Sequence, residues 1–244
     1  DLDACLRGAG FRMGPCELMD LIGHDTNFAV TRSVFEANFG DKRYQPSIVQ
    51  QEMVDGGLLG RKSGRGFYAH PQAELPPPRE AGKPPAPDGV AVHGRGPVAR
   101  WLGERLDAAG VAWHPAPDSA WVGLGEGPLS IRLTDGHCIS ERVARGEAPR
   151  ASLVFDLPVQ VALGRPWAVG TALAVAVASQ APEGTLTRGS AWLSALGIDV
   201  RPVADTPGLL VARTVAMLVN EAADAVHQGV CDEAGADDAM RLGV

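Results

Sequence analysis

Gly94-Arg95-Gly96-Pro97-Val98-Ala99 has the spacing G-x-G-x-x-A. Such a turn can cradle a pyrophosphate: its glycines let the phosphate approach the backbone, and the helix behind presents its positive end. The context fits. Gly89-Val90-Ala91-Val92-His93 reads as a short buried strand, and Pro97 to Ala109 as a helix with Val98, Trp101, Leu102 and Leu106 on one face. NAD would also need an acid at the end of the next strand to hold its ribose hydroxyls, and Trp113-His114-Pro115 occupies that place. Gly94 and Gly96 are therefore the candidate cofactor-binding pair, with a degenerate relic favoured over a working loop. Arg61, Lys62 and Arg65 form a second charged loop that could seek phosphate. In a glycine-rich, exposed setting it reads first as a solvated turn.

The elements around these residues fall into blocks of different character. Pro15 suits the first helical position, Glu17 sits in the first turn, and Gly23 stops that helix. Asp25 can cap a second helix carrying Phe28, Phe35 and Phe39 up to Gly40, for which core packing is the default reading. Ser47 with Gln50 has capping-box spacing for a third helix, ending at Gly56-Gly57. Seven prolines between Pro71 and Pro87, interleaved with charge, read as an extended linker over 71–88. After it, Val111-Ala112-Trp113 resumes a strand and Ser130 to Ile139 alternates around Asp135-Gly136 as a hairpin. Ser152 to Phe155 and Ala172 to Ala178 are further strands, the latter also readable as a buried helix. Ser190 to Leu196 reads as a helix and Ile198 to Val203 as a strand, which gives a partly parallel α/β block over 89–204.

Composition narrows the function. A net charge of -7 leaves no basic excess for a nucleic-acid surface. Cys5, Cys16, Cys138 and Cys231 are scattered without a C-x-x-C pair, so neither a metal site nor a disulfide framework is indicated. The longest apolar run, Trp167 to Ala178, contains Gly170 and Thr171 and is too short to span a bilayer. The sequence from Asp1 shows no initiator Met and no charged-then-apolar leader, so the expectation is a cytoplasmic protein, and an opening on Asp-Leu-Asp-Ala reads as part of something longer.

One pair of motifs is more specific. Met13-Gly14-Pro15-Cys16-Glu17-Leu18-Met19-Asp20-Leu21-Ile22-Gly23 opens the first block, and Gly60-Arg61-Lys62-Ser63-Gly64-Arg65-Gly66-Phe67-Tyr68 closes it. This bracket resembles the C-terminal helical domain of 3-hydroxyacyl-CoA dehydrogenases. Asp205-Thr206-Pro207-Gly208-Leu209-Leu210-Val211-Ala212-Arg213, leading into a long helix, resembles the entry to the same domain, and the tail Asp238-Ala239-Met240-Arg241-Leu242-Gly243 parallels Asp3-Ala4-Cys5-Leu6. The layout is thus similar to the C-terminal portion of the long bacterial 3-hydroxybutyryl-CoA type: a helical copy at 1–70 lacking its start, the linker, a degenerate Rossmann-like α/β domain at 89–204, and the start of a second helical copy at 205–244. The two half-copies could complete one helical domain.

The resemblance implies further properties. Its fold would be mixed, with all-α helical parts beside the α/β domain. Its reaction is oxidation of 3-hydroxyacyl-CoA to 3-oxoacyl-CoA with NAD, which an upstream domain would bind, and its partners would be an acyl-CoA substrate and a second copy in a homodimer. Met13, Gly14 and Pro15 would be candidate substrate-binding residues, although Cys16 replaces the usual aromatic. The family's catalytic histidine–glutamate pair has no counterpart here. His93, His114 and His137 lack a glutamate at matching spacing, and Ala212 stands where the second copy would carry an asparagine, so no catalytic residue is assigned. A non-catalytic acyl-CoA-binding or dimerisation module is the rival reading. A separate NAD-binding protein built on Gly94 and Gly96 is another.

Overall fold

The computed structural model describes residues 1–71, 85 and 89–243. Most of the expected proline-rich linker lies outside the described residues. Two compact units are present, one of residues 13–71 and one of 89–243 joined by residues 3–12. Helix α1 (Leu2–Gly8) belongs with the larger unit because Cys5 and Leu6 are buried against Ala172, Ala174 and Val211.

The smaller unit is helical, with α2 (Pro15–Ile22), α3 (His24–Ala37) and α4 (Ile48–Asp55) where the sequence places them. Two expected caps are not formed. Gly23 is the N-cap residue of α3, and Asp25 sits inside the helix paired with Lys62. Ser47 makes no side-chain cap bond, while Gln50 Nε2 points 3.4 Å from Met19 Sδ instead. Of the phenylalanine stripe, Phe39 is fully exposed and so packs into no core of this unit.

The larger unit is built on one seven-stranded sheet in the order β2-β1-β3-β4-β5-β6-β7. Its elements run β1 (Val90–His93), α5 (Pro97–Ala108), β2 (Trp113–Ala116), β3 (Gly123–Glu126), β4 (Leu129–Leu133), α6 (Ile139–Ala144), β5 (Ser152–Phe155), α7 (Val159–Ala162), β6 (Thr171–Val177), α8 (Thr185–Ala195) and β7 (Ile198–Pro202). Helices α9 (Val211–His227) and α10 (Glu233–Gly243) follow. Pairs β1/β2, β4/β5 and β6/β7 are parallel, and β1/β3, β3/β4 and β5/β6 antiparallel.

Alternation along the strands assigns the faces. Val90, Val92, Leu129, Ile131, Leu153 and Phe155 pack with Leu102 and Leu106 of α5 and Trp192 and Leu193 of α8 in the main core. On the other face Val154 and Ala176 pack with Ile139 of α6. Segment 171–177 is a strand, which settles the strand-or-helix ambiguity. Two expectations fail. The second strand begins at Trp113 rather than Val111, because Val111 N closes the end of α5 on Leu106 O at 3.0 Å. The hairpin is β3–β4, turning at Gly127-Pro128, whereas Asp135-Gly136 forms a side-chain-bonded turn into α6.

Candidate functional site

The two motifs that bracket the smaller unit meet at one carboxylate. Asp20, 1 % exposed on α2, accepts Phe67 N at 2.9 Å, Tyr68 N at 3.0 Å, and the Nε2 atoms of His24 and His70 at 2.9 Å each. Burial raises its pKa, but these bonds outweigh burial and leave the carboxyl below the ordinary aspartate value. Glycine is required around it: a Cβ on Gly60 would lie 2.3 Å from Asp20 O, and one on Gly66 2.2 Å from Oδ1. Ser63 completes the clasp, its Oγ accepting Leu59 N and donating to Arg65 O, both at 2.8 Å. Asp20, Gly60, Ser63 and Gly66 of the signature thus build the unit.

The candidate substrate residues Met13, Gly14 and Pro15 form the entry to α2. Gly14 is buried and extended, its N–H donating to Glu17 Oε2 at 3.0 Å, and Pro15 opens the helix. Of the basic loop, Lys62 is paired with Asp25, while Arg61 lines a cavity of about 540 Å³ with Glu17, Gly64, Tyr68, His70 and Pro71.

In the larger unit the glycine-rich turn has the expected strand–turn–helix setting. Gly94 (φ 79) follows β1, and Gly96 (φ 103) is the N-cap residue of α5. The β2–β3 connection covers part of it. Gly94 N donates to Ala116 O at 3.0 Å, and a Cβ on Gly94 would stand 2.6 Å from Trp121 O. Close approach of protein backbone thus accounts for Gly94. Around Gly96 the space is open. Trp113-His114-Pro115 opens β2, and the first acid beyond that strand is Asp118, exposed and bound to Arg95 at 2.8 Å.

His93 stacks on Trp121 with ring centroids 4.1 Å apart and shares a 2.7 Å bond with Ser119 Oγ. Burial, with Arg132 and His114 nearby, holds its imidazole below the ordinary histidine value, so the ring is neutral near pH 7. His137 lies against Asp135 and Arg142. Among the described residues no histidine is hydrogen-bonded to a glutamate, and no His/Cys/Asp/Glu cluster could hold a metal. Among the described residues no helix is long and apolar enough to cross a membrane.

Sequence reasoning missed Asp156, and it named Asp205 without its partner. Asp156, at the end of β5, accepts Leu210 N at 2.9 Å, Val211 N at 2.7 Å and Ala212 N at 3.0 Å, which anchors the start of α9. Asp205 of the second-copy motif serves another helix, accepting Ile139 N at 3.0 Å and Ser140 N at 2.8 Å at the start of α6. No local pattern could reveal pairings of that sequence separation.

Comparison with known proteins matches two segments of this architecture. Residues 1–70 match the model of the 3-hydroxyacyl-CoA dehydrogenase C-terminal domain, and residues 131–207 that of the 3-hydroxybutyryl-CoA dehydrogenase reduced Rossmann-fold domain. The 3-hydroxyadipyl-CoA dehydrogenase of Escherichia coli K12 is 36% identical over 100% of this chain and 44% of its own length. A 3-hydroxybutyryl-CoA dehydrogenase of Mycobacterium tuberculosis is 42% identical over 29% of this chain and 24% of its own. The crystal structure of 3-hydroxybutyryl-CoA dehydrogenase from Escherichia coli K12 superposes with a TM-score of 0.73 and 34% identity, over 100% of this chain and 44% of that one. The chain spans less than half the length of these relatives. Through its helical unit and its reduced sheet unit, the chain belongs to the 3-hydroxyacyl-CoA dehydrogenase family, of the 3-hydroxybutyryl-CoA type.

Proposed function

We propose that this chain is the substrate-covering and dimerisation portion of an NAD-dependent dehydrogenase that oxidises 3-hydroxyacyl-CoA to 3-oxoacyl-CoA. In this reading the nucleotide and the reacting carbon are held by an NAD-binding domain upstream of residue 1, and 89–204 is a degenerate Rossmann-like unit. The observation that carries it is the Asp20 clasp, in which both halves of the family signature engage each other within the smaller unit.

Surface character supports the assembly role. Leu18, Leu21 and Ile22 of α2, Val30 and Val34 of α3, and Ile48 and Val49 of α4 are between 40% and 70% exposed. Apolar exposure on that scale marks a contact surface, and a symmetric homodimer is the expected occupant. Met13 to Pro15 at the head of α2 would then border the acyl-CoA substrate. Absence of the histidine–glutamate pair and the side chain of Ala212 support a chain that lacks turnover of its own.

The rival with a specific observation behind it is nucleotide binding at the glycine-rich turn, since the space around Gly96 is open. A fluorescence titration of NADH against the chain distinguishes the two. The relic reading expects no saturable signal. Saturable NADH binding that is lost in Gly96→Asp would replace it.

A further inference from the structure

Arg132 poses a charge problem that no residue around it solves. Its guanidinium is half-buried, its Nε donates to Ser130 Oγ at 3.2 Å and its Nη1 to the Glu147 carbonyl at 3.0 Å. Both acceptors are neutral. Among the described residues no carboxylate lies within ion-pair distance of Arg132, and Nη2 has no partner. Asp135 and Glu147, the acids of this corner, are both bound to Arg142. Burial pulls the Arg132 pKa below the ordinary arginine value, the like charge of Arg142 adds to this, and Asp135 offsets only part. A half-buried cation with no ion-pair partner of its own, beside a second one, gains from an anion that joins them.

Space for that anion exists. A cavity of about 180 Å³ is walled by Trp121, Arg132, Asp135, His137, Arg142 and Val154, with the Asp135 carboxylate bound to Arg142 at 2.6 Å. The Arg132 guanidinium stacks over the Trp121 ring at 4.5 Å, which fixes its plane and directs its remaining N–H groups edgewise. Trp121 is itself held from His93, so the wall is pre-formed. The cavity opens at the carboxyl ends of the parallel strands β4 and β5, the edge of an α/β sheet where ligands collect. Its volume suits one small charged group rather than a whole nucleotide. His137 Nδ1 lies 3.1 Å from Arg142 Nη2 and 3.3 Å from Asp135 Oδ1; in the tautomer whose Nδ1 accepts from Arg142, Nε2–H is a further donor.

We infer that this pocket binds a small oxyanion, a phosphate or carboxylate group, on the free edge of Arg132 with Arg142 and His137 beside it. The group is either a free ion or the charged end of a larger molecule such as coenzyme A, whose remainder would stay outside. The inference stands apart from the dehydrogenase reading, since it needs neither turnover nor NAD.

The test is side-chain NMR of the whole 244-residue chain, following the Trp121 indole N–H and the Arg142 Nε–H. Inorganic phosphate, acetate and coenzyme A are titrated separately, with chloride holding ionic strength constant. Saturable shifts of both signals with at least one of the three are expected. Arg132→Gln should weaken that binding about ten- to hundredfold, as loss of a charge-assisted bond does. Arg132→Lys, which keeps the charge but not the fork, should retain part of it, and unchanged indole signals from the other tryptophans report that each variant is folded. Tighter binding of coenzyme A than of phosphate would assign the group to a CoA phosphate, and equal binding to the free ion. Shifts that fail to saturate for all three anions, or affinity unchanged in Arg132→Gln, would overturn the proposal.

Discussion

Asp20 shows how much of a family signature can rest on one buried carboxylate. It accepts two backbone and two imidazole donors, so removing its charge leaves several groups short of a strong acceptor at once. Asp20→Asn should destabilise the helical unit by about 3 kcal/mol, measured by urea unfolding. Because the folded carboxyl lies below its ordinary value, its contribution is fully present above the unfolded aspartate pKa of about 4. It is lost as the pH falls through the folded value, so the gap between wild type and Asp20→Asn should close on acidification. Gly66→Ala attacks the same point from the other side, since its Cβ would stand 2.2 Å from Asp20 Oδ1. A loss comparable to Asp20→Asn, with no additivity in the double variant, is the expected result. The motif residues were readable from sequence. Their mutual contact was not, because Asp20 and Phe67 are 47 positions apart.

At the scale of elements, helices with a local signal read well, α1, α6 and α7 did not, and strands read only where burial made them continuous. The helices α2 to α5 announce themselves through Pro15, Pro97 and apolar spacing, which are local signals. Strand β3, Gly123-Leu124-Gly125-Glu126, carries no such signal because contact forces its composition. A Cβ on Gly123 would lie 2.0 Å from Ile131 O, and one on Gly125 2.5 Å from His93 Nε2. With β3 unseen, Asp135-Gly136 took the role of the hairpin turn that Gly127-Pro128 fills. Helix starts likewise depend on distant acids. Asp156→Asn should cost about 2 kcal/mol and speed amide exchange in the first turn of α9, leaving α6 unaffected. Faster exchange in α6 alone would contradict that assignment, since Asp205 serves α6.

For the whole molecule, the chain combines a helical unit locked by its own signature with a sheet unit whose nucleotide-type turn is partly closed. Gly94 is explained by the Trp121 carbonyl at its back. Gly94→Ala should therefore lower thermal stability, through both its φ of 79 and that clash, whether or not NADH is present. A stabilising effect of NADH on the wild type that Gly94→Ala abolishes would point to a working loop instead. The mixed fold was legible from composition and periodicity, and the family from two motifs. The mixed strand order was not, since β1/β3 and β5/β6 pair through contacts with no sequence signature. The central claim is that this chain covers substrate and assembles but does not turn over by itself. The most direct measurement is NADH-dependent reduction of acetoacetyl-CoA by the purified 244-residue chain. No turnover above the uncatalysed background is expected, whereas an enzyme-like rate, on the order of 10 per second, would contradict the account.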